Sequence, residues 1–358
     1  MRTQKSSRRI FLEKMAAATA GVALSTSIGE KIYAGQQSIG QPSFSPNPFA
    51  SDKKFVPVMI TPYQKNGAID FDGLSKLVDF YLAAGVKGFF ANCASSEMYK
   101  LNPEERLSLA RHVSKRVNGS MSVVATGSFG DTPEEKSEFT KRIYHTGINA
   151  VILITSHFAE KTESDDVLIR NFDQFLQLTD NIPVGTYECP APYKRVITPK
   201  VFKYMLDANR FIYHKDTTID LEKVKEKIAM IKTNRLEFYD ACVANTMYSL
   251  QAGAKGMSAI CGNFYPDIMV WMCENSTNPD RQEDVKWLQA QLTKTEDIIG
   301  QNYPQSAKYF LQKRGLPIET MARTATSPLT TAQKLALDDT YKVFLGWCDR
   351  IGMRPAKV

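Results

Sequence analysis

Eight short runs rich in β-branched and aromatic residues recur between residues 55 and 261, and most are apolar at consecutive positions. They read FVPVMIT (55–61), GFFANC (88–93), MSVVAT (121–126), NAVILIT (149–155), IPVGTYE (182–188), RFIYHK (210–215), LEFYD (236–240) and GMSAIC (256–261). A strand that faces water on one side alternates apolar with polar residues. A strand covered on both faces does not, and such strands belong to parallel sheets. Helix-like segments lie between the runs. Asn102-Pro103-Glu104-Glu105 and Asp131-Thr132-Pro133-Glu134-Glu135 each place a capping side chain before proline, with acids in the first turn. Leu221, Val224, Ile228 and Ile231 recur at three- and four-residue spacings, which makes one apolar helix face. Eight strand–helix units predict a (β/α)8 TIM barrel over residues 54–266. An open doubly wound sheet is the alternative, but no G-x-G-x-x-G follows the first strand, so a dinucleotide cofactor has no support. The pattern changes after residue 266. Helical stretches near 281–299, 304–314 and 330–350 predict an appended C-terminal helical region over 267–358.

The N-terminus reads differently from the rest. Paired arginines (Arg8, Arg9) precede Ile10-Phe11-Leu12 and a modest Ala-rich apolar run. Residues 1–34 resemble a twin-arginine export signal, and 35–53, rich in Gln, Ser, Pro and Asn, read as a linker. The expectation is a periplasmic enzyme; Met15–Leu24 is too short to span a bilayer, though an uncleaved signal could still be retained as an anchor. This leader carries net +4 of the chain's +7 charge. The remainder has no long basic run or basic–aromatic patch, which argues against nucleic acid as a partner. Six cysteines (Cys93, Cys189, Cys242, Cys261, Cys273, Cys348) form no C-x-x-C and no zinc spacing. They are expected to be buried free thiols, and no metal is expected.

In a closed parallel barrel the strand C-termini share one mouth, where catalysis occurs. The strand ends are therefore a census of candidate groups. The fifth run ends in Tyr187-Glu188 and the sixth in Lys215, on strands about 4.8 Å apart. A lysine held in an apolar barrel has its ammonium disfavoured, and the neutral amine can attack a ketone to form a Schiff base. A neighbouring phenol can relay protons. Ser95 and Ser96 after the second run are small donors suited to a carboxylate. Thr217, Asp240 and Ser258 stand at the remaining ends. His157 is expected to be incidental, and Glu97 to order its loop.

These stretches, in order, resemble the dihydrodipicolinate synthase / N-acetylneuraminate lyase superfamily. VMITPYQKNGAIDFDG is similar to its Thr-Pro-Phe opening, ASSEMYKL to its G-[ST]-T-G-E … L loop, and YECP to its Tyr-Asn-x-Pro. HKDTTIDL resembles its Schiff-base lysine segment, LQAGAKGMSAICGNFYP its late Gly-rich motif, and KYFLQKRGLPIETMARTATSPLT its C-terminal region. The resemblance spans roughly residues 54–350. It implies that Lys215 forms the imine, Tyr187 relays protons, and Ser95 and Ser96 bind the keto-acid carboxylate. It further implies that Thr217 and Asp240 approach the distal part of the substrate. The Lys-x-Thr order is closer to lyases than to synthases.

Four departures narrow the expectation. Ala94 puts a methyl where the family loop has its first hydroxyl, and Phe158 stands where synthases complete their relay with a tyrosine. Pro192 replaces the arginine that grips the synthase aldehyde, and Ala241 replaces the glutamate that binds a sialic acid tail. The expected activity is a Schiff-base-forming lyase or aldolase on a 2-keto acid, either pyruvate plus an aldehyde or a sugar-acid-derived substrate. The alternatives are a 2-keto-3-deoxy sugar-acid dehydratase on the same lysine, or a degenerate barrel that only binds such acids. No cofactor is implied, and the resemblance implies a homo-oligomer, tetramer or dimer.

Overall fold

The computed structural model describes residues 52–357. Eight parallel strands form one sheet: β1 (Lys54–Phe55), β2 (Gly88–Asn92), β3 (Ser122–Thr126), β4 (Ala150–Ile154), β5 (Val184–Tyr187), β6 (Phe211–Asp216), β7 (Glu237–Asp240) and β8 (Gly256–Met257). Neighbours follow chain order, and β8 pairs with β1. Between β1 and β2 the ladder reduces to a bridge at Val58↔Phe90, where the Phe90 N–H donates to Pro57 O at 3.0 Å and the Met59 N–H to Phe90 O at 3.1 Å. Pro57 explains the short β1: it carries no N–H for the ladder. The β8–β1 closure requires a glycine, since a Cβ at Gly256 would lie 1.8 Å from the Lys54 carbonyl oxygen.

Each strand is followed by a helix: α1 (Phe71–Ala83), α2 (Pro103–Val117), α3 (Pro133–Tyr144), α4 (Asp165–Leu178), α5 (Pro199–Asp207), α6 (Leu221–Ile231), α7 (Thr246–Gln251) and α8 (Pro266–Asn275). The cap signals act as read. The Glu105 N–H donates to Asn102 Oδ1 and the Asn102 N–H to Glu105 Oε2, both at 2.9 Å, and Thr132 with Glu135 repeats the arrangement on α3. The eighth helix falls beyond residue 266, so the eight-fold unit runs to about residue 275. Then come α9 (Gln282–Gly300), α10 (Gln305–Lys313) and α11 (Thr331–Ile351), matching the three expected helices. The leader and most of the linker lie outside the described residues.

Two apolar clusters explain the consecutive apolar runs. Val56, Val58, Phe90, Val124, Ala150, Ile152, Ile154, Tyr187, Tyr213 and Tyr239 form a core inside the barrel. Val123, Ala125, Val151, Leu153, Val184 and Phe238 join a larger core between sheet and helices. On β4 every side chain is buried, odd positions on one face and even on the other. Both faces of the sheet are thus covered, as a parallel barrel demands.

Candidate active site

Tyr187 and Lys215 are register partners at the ends of β5 and β6. The Lys215 Nζ lies 4.4 Å from the centre of the Tyr187 ring and 5.8 Å from that of Phe90. Phe90 packs edge-on to Tyr187 and Tyr213, and Tyr213 stacks on Tyr239 at 4.6 Å, so the base of the barrel is aromatic. Lys215 is 4% exposed and makes no hydrogen bond or ion pair among the described residues. Burial pushes its ammonium down to about 8, against a weaker opposing pull from the thiols of Cys93 and Cys189. A neutral amine is thus within reach at mild pH. Burial also pushes the Tyr187 phenol well above its ordinary value, and the Cys189 thiol in contact with it adds to the rise. The phenol therefore keeps its proton, as a group that donates and recovers one must.

Both residues line a cavity of about 430 Å3, together with Thr217, Ser258, Ala241 and Glu296. The Ser258 hydroxyl donates to Val56 O at 2.9 Å and accepts from the Tyr213 hydroxyl at 3.3 Å. The Thr217 hydroxyl donates to Glu188 O at 2.7 Å, which turns it toward the backbone. The remaining candidates separate. Ser95 and Ser96 lie in a tight turn over Ala94–Ser96. The Ser96 hydroxyl has Met59 O at 2.7 Å and Ala91 O at 3.0 Å as acceptors and itself accepts from the Cys93 N–H, so it ties β1 to the β2 loop and is not free for a carboxylate. The Ser95 hydroxyl instead meets the phenol of Tyr303, which also accepts from Asn263 Nδ2 at 2.6 Å. Asp240 does not face the cavity. It is buried on the helix side of β7, where Oδ1 accepts the Cys242 N–H at 2.8 Å and Ser249 of α7 lies close.

Glu97 orders its loop, as expected from the sequence. Its Oε2 accepts the Thr324 N–H at 2.7 Å and hydroxyl at 2.9 Å, and buried Lys308 stands 3.5 Å from its Oε1. His157 sits on Ser128 O and the Tyr99 hydroxyl, outside the Lys215 cavity. Phe158 packs on Phe172 and Phe175 of α4, so it offers the site nothing polar.

Two features escaped the sequence reading. One is the pair of thiols, Cys93 and Cys189, beside Lys215 and Tyr187; their apolar runs suggested core filler only. All six cysteines are free. The other is a buried polar cluster behind the site. Glu188 and Asp216, each one residue past a candidate catalytic residue, converge with His214 on Lys227 of α6. Glu188 also accepts the Ile197 N–H at 2.8 Å and the Thr217 N–H at 2.7 Å. Burial alone would raise Asp216, but His214 and Lys227 overcome it and hold the carboxyl well below the usual range. Glu188, His214 and Asp216 are close enough to ligate a cation. The Lys227 ammonium already contacts both carboxylates, so the site's positive charge is built in.

The model of the dihydrodipicolinate synthetase family matches residues 52–343. The chain belongs to that family. As a member of the dihydrodipicolinate synthetase family it is a lyase of the aldolase type. It is similar to the 4-hydroxy-tetrahydrodipicolinate synthase of Bacillus subtilis (strain 168), with 26% identity over 283 residues, 79% of this chain and 96% of that one. It is also similar to the enzyme of that name from Methanococcus vannielii, with 26% identity over 74% of this chain and 85% of the relative. Among solved structures, YagE of E. coli K12, a family member crystallised with pyruvate, superposes with a TM-score of 0.73 at 23% identity, covering 82% of this chain and 98% of that chain. The pyruvate-complexed dihydrodipicolinate synthase of Acinetobacter baumannii gives 0.70 at 21% identity, covering 82% and 98%.

Proposed function

We propose that this enzyme forms a Schiff base between Lys215 and a 2-keto acid, and makes or breaks a carbon–carbon bond at the carbon next to the imine carbon, joining it to the carbon of an aldehyde. The observation that carries this reading is a lysine at the barrel mouth that is buried, unpaired and bracketed by aromatic rings. A structural ammonium would need a counter-charge there, as Lys227 has. A nucleophile needs the opposite, an environment that favours the neutral amine.

The chemistry follows from the two side chains. The Lys215 amine adds to the keto carbon, the carbinolamine oxygen leaves as water, and a protonated imine remains. That cation accepts the electron pair of the bond between the next carbon and the hydroxyl-bearing carbon beyond it in cleavage, giving an enamine and an aldehyde; in the reverse direction the enamine attacks the aldehyde. Tyr187, its phenol held protonated, donates to the departing carbinolamine oxygen. It then recovers the proton from the aldol hydroxyl in cleavage. The pyruvate complexes of YagE and the Acinetobacter enzyme favour pyruvate as the keto acid. The 4-hydroxy-tetrahydrodipicolinate reaction itself is disfavoured by Pro192, which leaves the aldehyde carboxylate without an arginine. In this reading residues 1–34 export the enzyme to the periplasm, and the chain assembles into a dimer or tetramer.

Reduction of a protein–pyruvate mixture with borohydride, followed by intact-mass measurement, tests the proposal. A mass gain is expected in the native protein and its absence in Lys215→Ala. No adduct with pyruvate or any other 2-keto acid of a panel would leave a barrel that only binds. Amino-terminal sequencing of the protein from a periplasmic fraction tests the export signal; an intact leader confined to the cytoplasm would contradict it.

A further inference from the structure

The Lys215 cavity carries a carboxylate that imine chemistry does not use. Glu296 reaches it from α9, in the C-terminal helical region, and lines it together with Lys215 and Tyr187. It is half-buried, and burial followed by the neighbouring Asp297 raises its pKa. Among the described residues it makes no hydrogen bond and no ion pair. Glu97, Glu188 and Asp216, carboxylates at the same end of the barrel, each have several partners. Glu296 therefore pays a desolvation cost without holding any part of the fold together. A donor from a bound molecule would offset that cost.

The cavity narrows what the donor is. Its volume of about 430 Å3 exceeds what a three-carbon keto acid on Lys215 fills, so the space beside Glu296 belongs to the rest of the substrate. An anionic tail would be repelled by Glu296. A cationic tail would meet the ammonium of Lys194, which lines the same cavity and donates to the Thr217 carbonyl rather than to Glu296. One carboxylate acceptor and one ammonium donor, unpaired with each other, suit a neutral chain of hydroxyl groups, each of which both donates and accepts. Ile219, Ala241 and Ile260 supply the apolar remainder of the wall, against which the carbon faces of such a chain pack.

We propose that Glu296 is a specificity-determining residue that accepts hydrogen bonds from a neutral, polyhydroxylated tail, so that the substrate is a 2-keto acid bearing a hydroxylated chain rather than one bearing a second carboxylate. The proposal rests on the Schiff-base reading of Lys215.

Three six-carbon probes test it in one assay: 2-keto-3-deoxygluconate with hydroxyls, 2-ketohexanoate with an apolar tail and 2-ketoadipate with a second carboxylate. The concentration of each that half-saturates borohydride trapping is read by intact mass, with pyruvate as control. The hydroxylated probe is expected to trap at roughly 10- to 100-fold lower concentration than the other two, the range of a hydrogen bond to a charged group. Glu296→Leu should abolish that advantage, and Glu296→Gln should retain part of it, while pyruvate trapping stays unchanged in both variants. Normal pyruvate trapping with no preference for the hydroxylated probe, or with a preference that survives Glu296→Leu, overturns the proposal and leaves the imine reading intact. Absence of any pyruvate adduct in the native protein overturns the imine reading, and this one with it.

Discussion

The ammonium of Lys215 stands over the ring of Tyr187, 4.4 Å from its centre, on the neighbouring strand. The contact offers a cation weak attraction but no counter-ion, and burial lowers the ammonium to about 8. The rate of imine formation with pyruvate should therefore rise with pH to a plateau, with a midpoint near 8 instead of near the 10.5 of an ordinary lysine. Rapid mixing followed by reductive quench at each pH gives the profile. A midpoint above 10 would mean that the amine is solvated and that the barrel does not activate it.

Tyr187→Phe separates proton relay from packing. The ring is kept, so the contacts to Lys215 and Phe90 survive. Only the hydroxyl is lost. Turnover should fall by about 10²- to 10⁴-fold, the usual worth of a positioned acid–base group. The adduct with pyruvate should still form, more slowly, because the amine and its aromatic bracket are intact. Steady-state kinetics and the trapped mass read the two effects independently. An unchanged kcat would remove Tyr187 from the relay.

Lys227→Met probes the cluster behind the site. The substitution keeps volume and removes the charge that Asp216 and Glu188 share. Two buried carboxylates are then left uncompensated, and breaking such a pair costs about 3–5 kcal/mol. Asp216 has its pKa depressed in the fold, so its contribution is present above the ordinary 3.8 and is lost as the pH falls through the lower folded value. Urea denaturation should show the native protein losing stability in acid and the variant losing much less there, because it begins without the pair. A loss below about 1 kcal/mol at neutral pH would mean that the cluster is well solvated. Asp216 follows Lys215 and Glu188 follows Tyr187, so slower imine formation should accompany the destabilisation.

The barrel was legible in the sequence because its strands are buried on both faces and so run apolar without alternation, as β4 shows. Chain order then sufficed to set Tyr187 beside Lys215, since a barrel of right-handed crossovers places successive strands side by side. What the sequence does not carry is the face on which a strand-end residue emerges. Lys215 points inward while its neighbours His214 and Asp216 pack toward the helices, where His214 meets Phe202 of α5. The β5–β6 register shifts near Val184, so counting by twos along the strand does not settle the face. Ser95 and Ser96 pose the same difficulty in a tight turn: one hydroxyl is consumed by Met59 and Ala91 and the other meets Tyr303 from a distant loop. Glu296 lies some eighty residues past Lys215, and no local pattern links them.

Asp240→Asn tests that distinction of faces directly. The carboxyl is buried behind β7, away from the cavity, and burial raises it to about 7, partly offset by the Cys242 N–H that it accepts. Below the ordinary 3.8 both folded and unfolded chains carry the proton, and burial of this carboxyl brings no ionisation cost. Between 3.8 and about 7 the unfolded chain ionises while the folded one keeps its proton, so this group lowers stability steadily as the pH rises. Above 7 the cost is constant, of the order of a few kcal/mol. Asparagine keeps the acceptor for the Cys242 N–H and never ionises. The variant should therefore be more stable than the native protein by about 2–4 kcal/mol at pH 8, with the two converging near pH 4. Pyruvate trapping should be unchanged at both. Denaturation at the two pH values and one trapping experiment decide the matter: equal stability together with impaired trapping of longer keto acids would return Asp240 to the substrate.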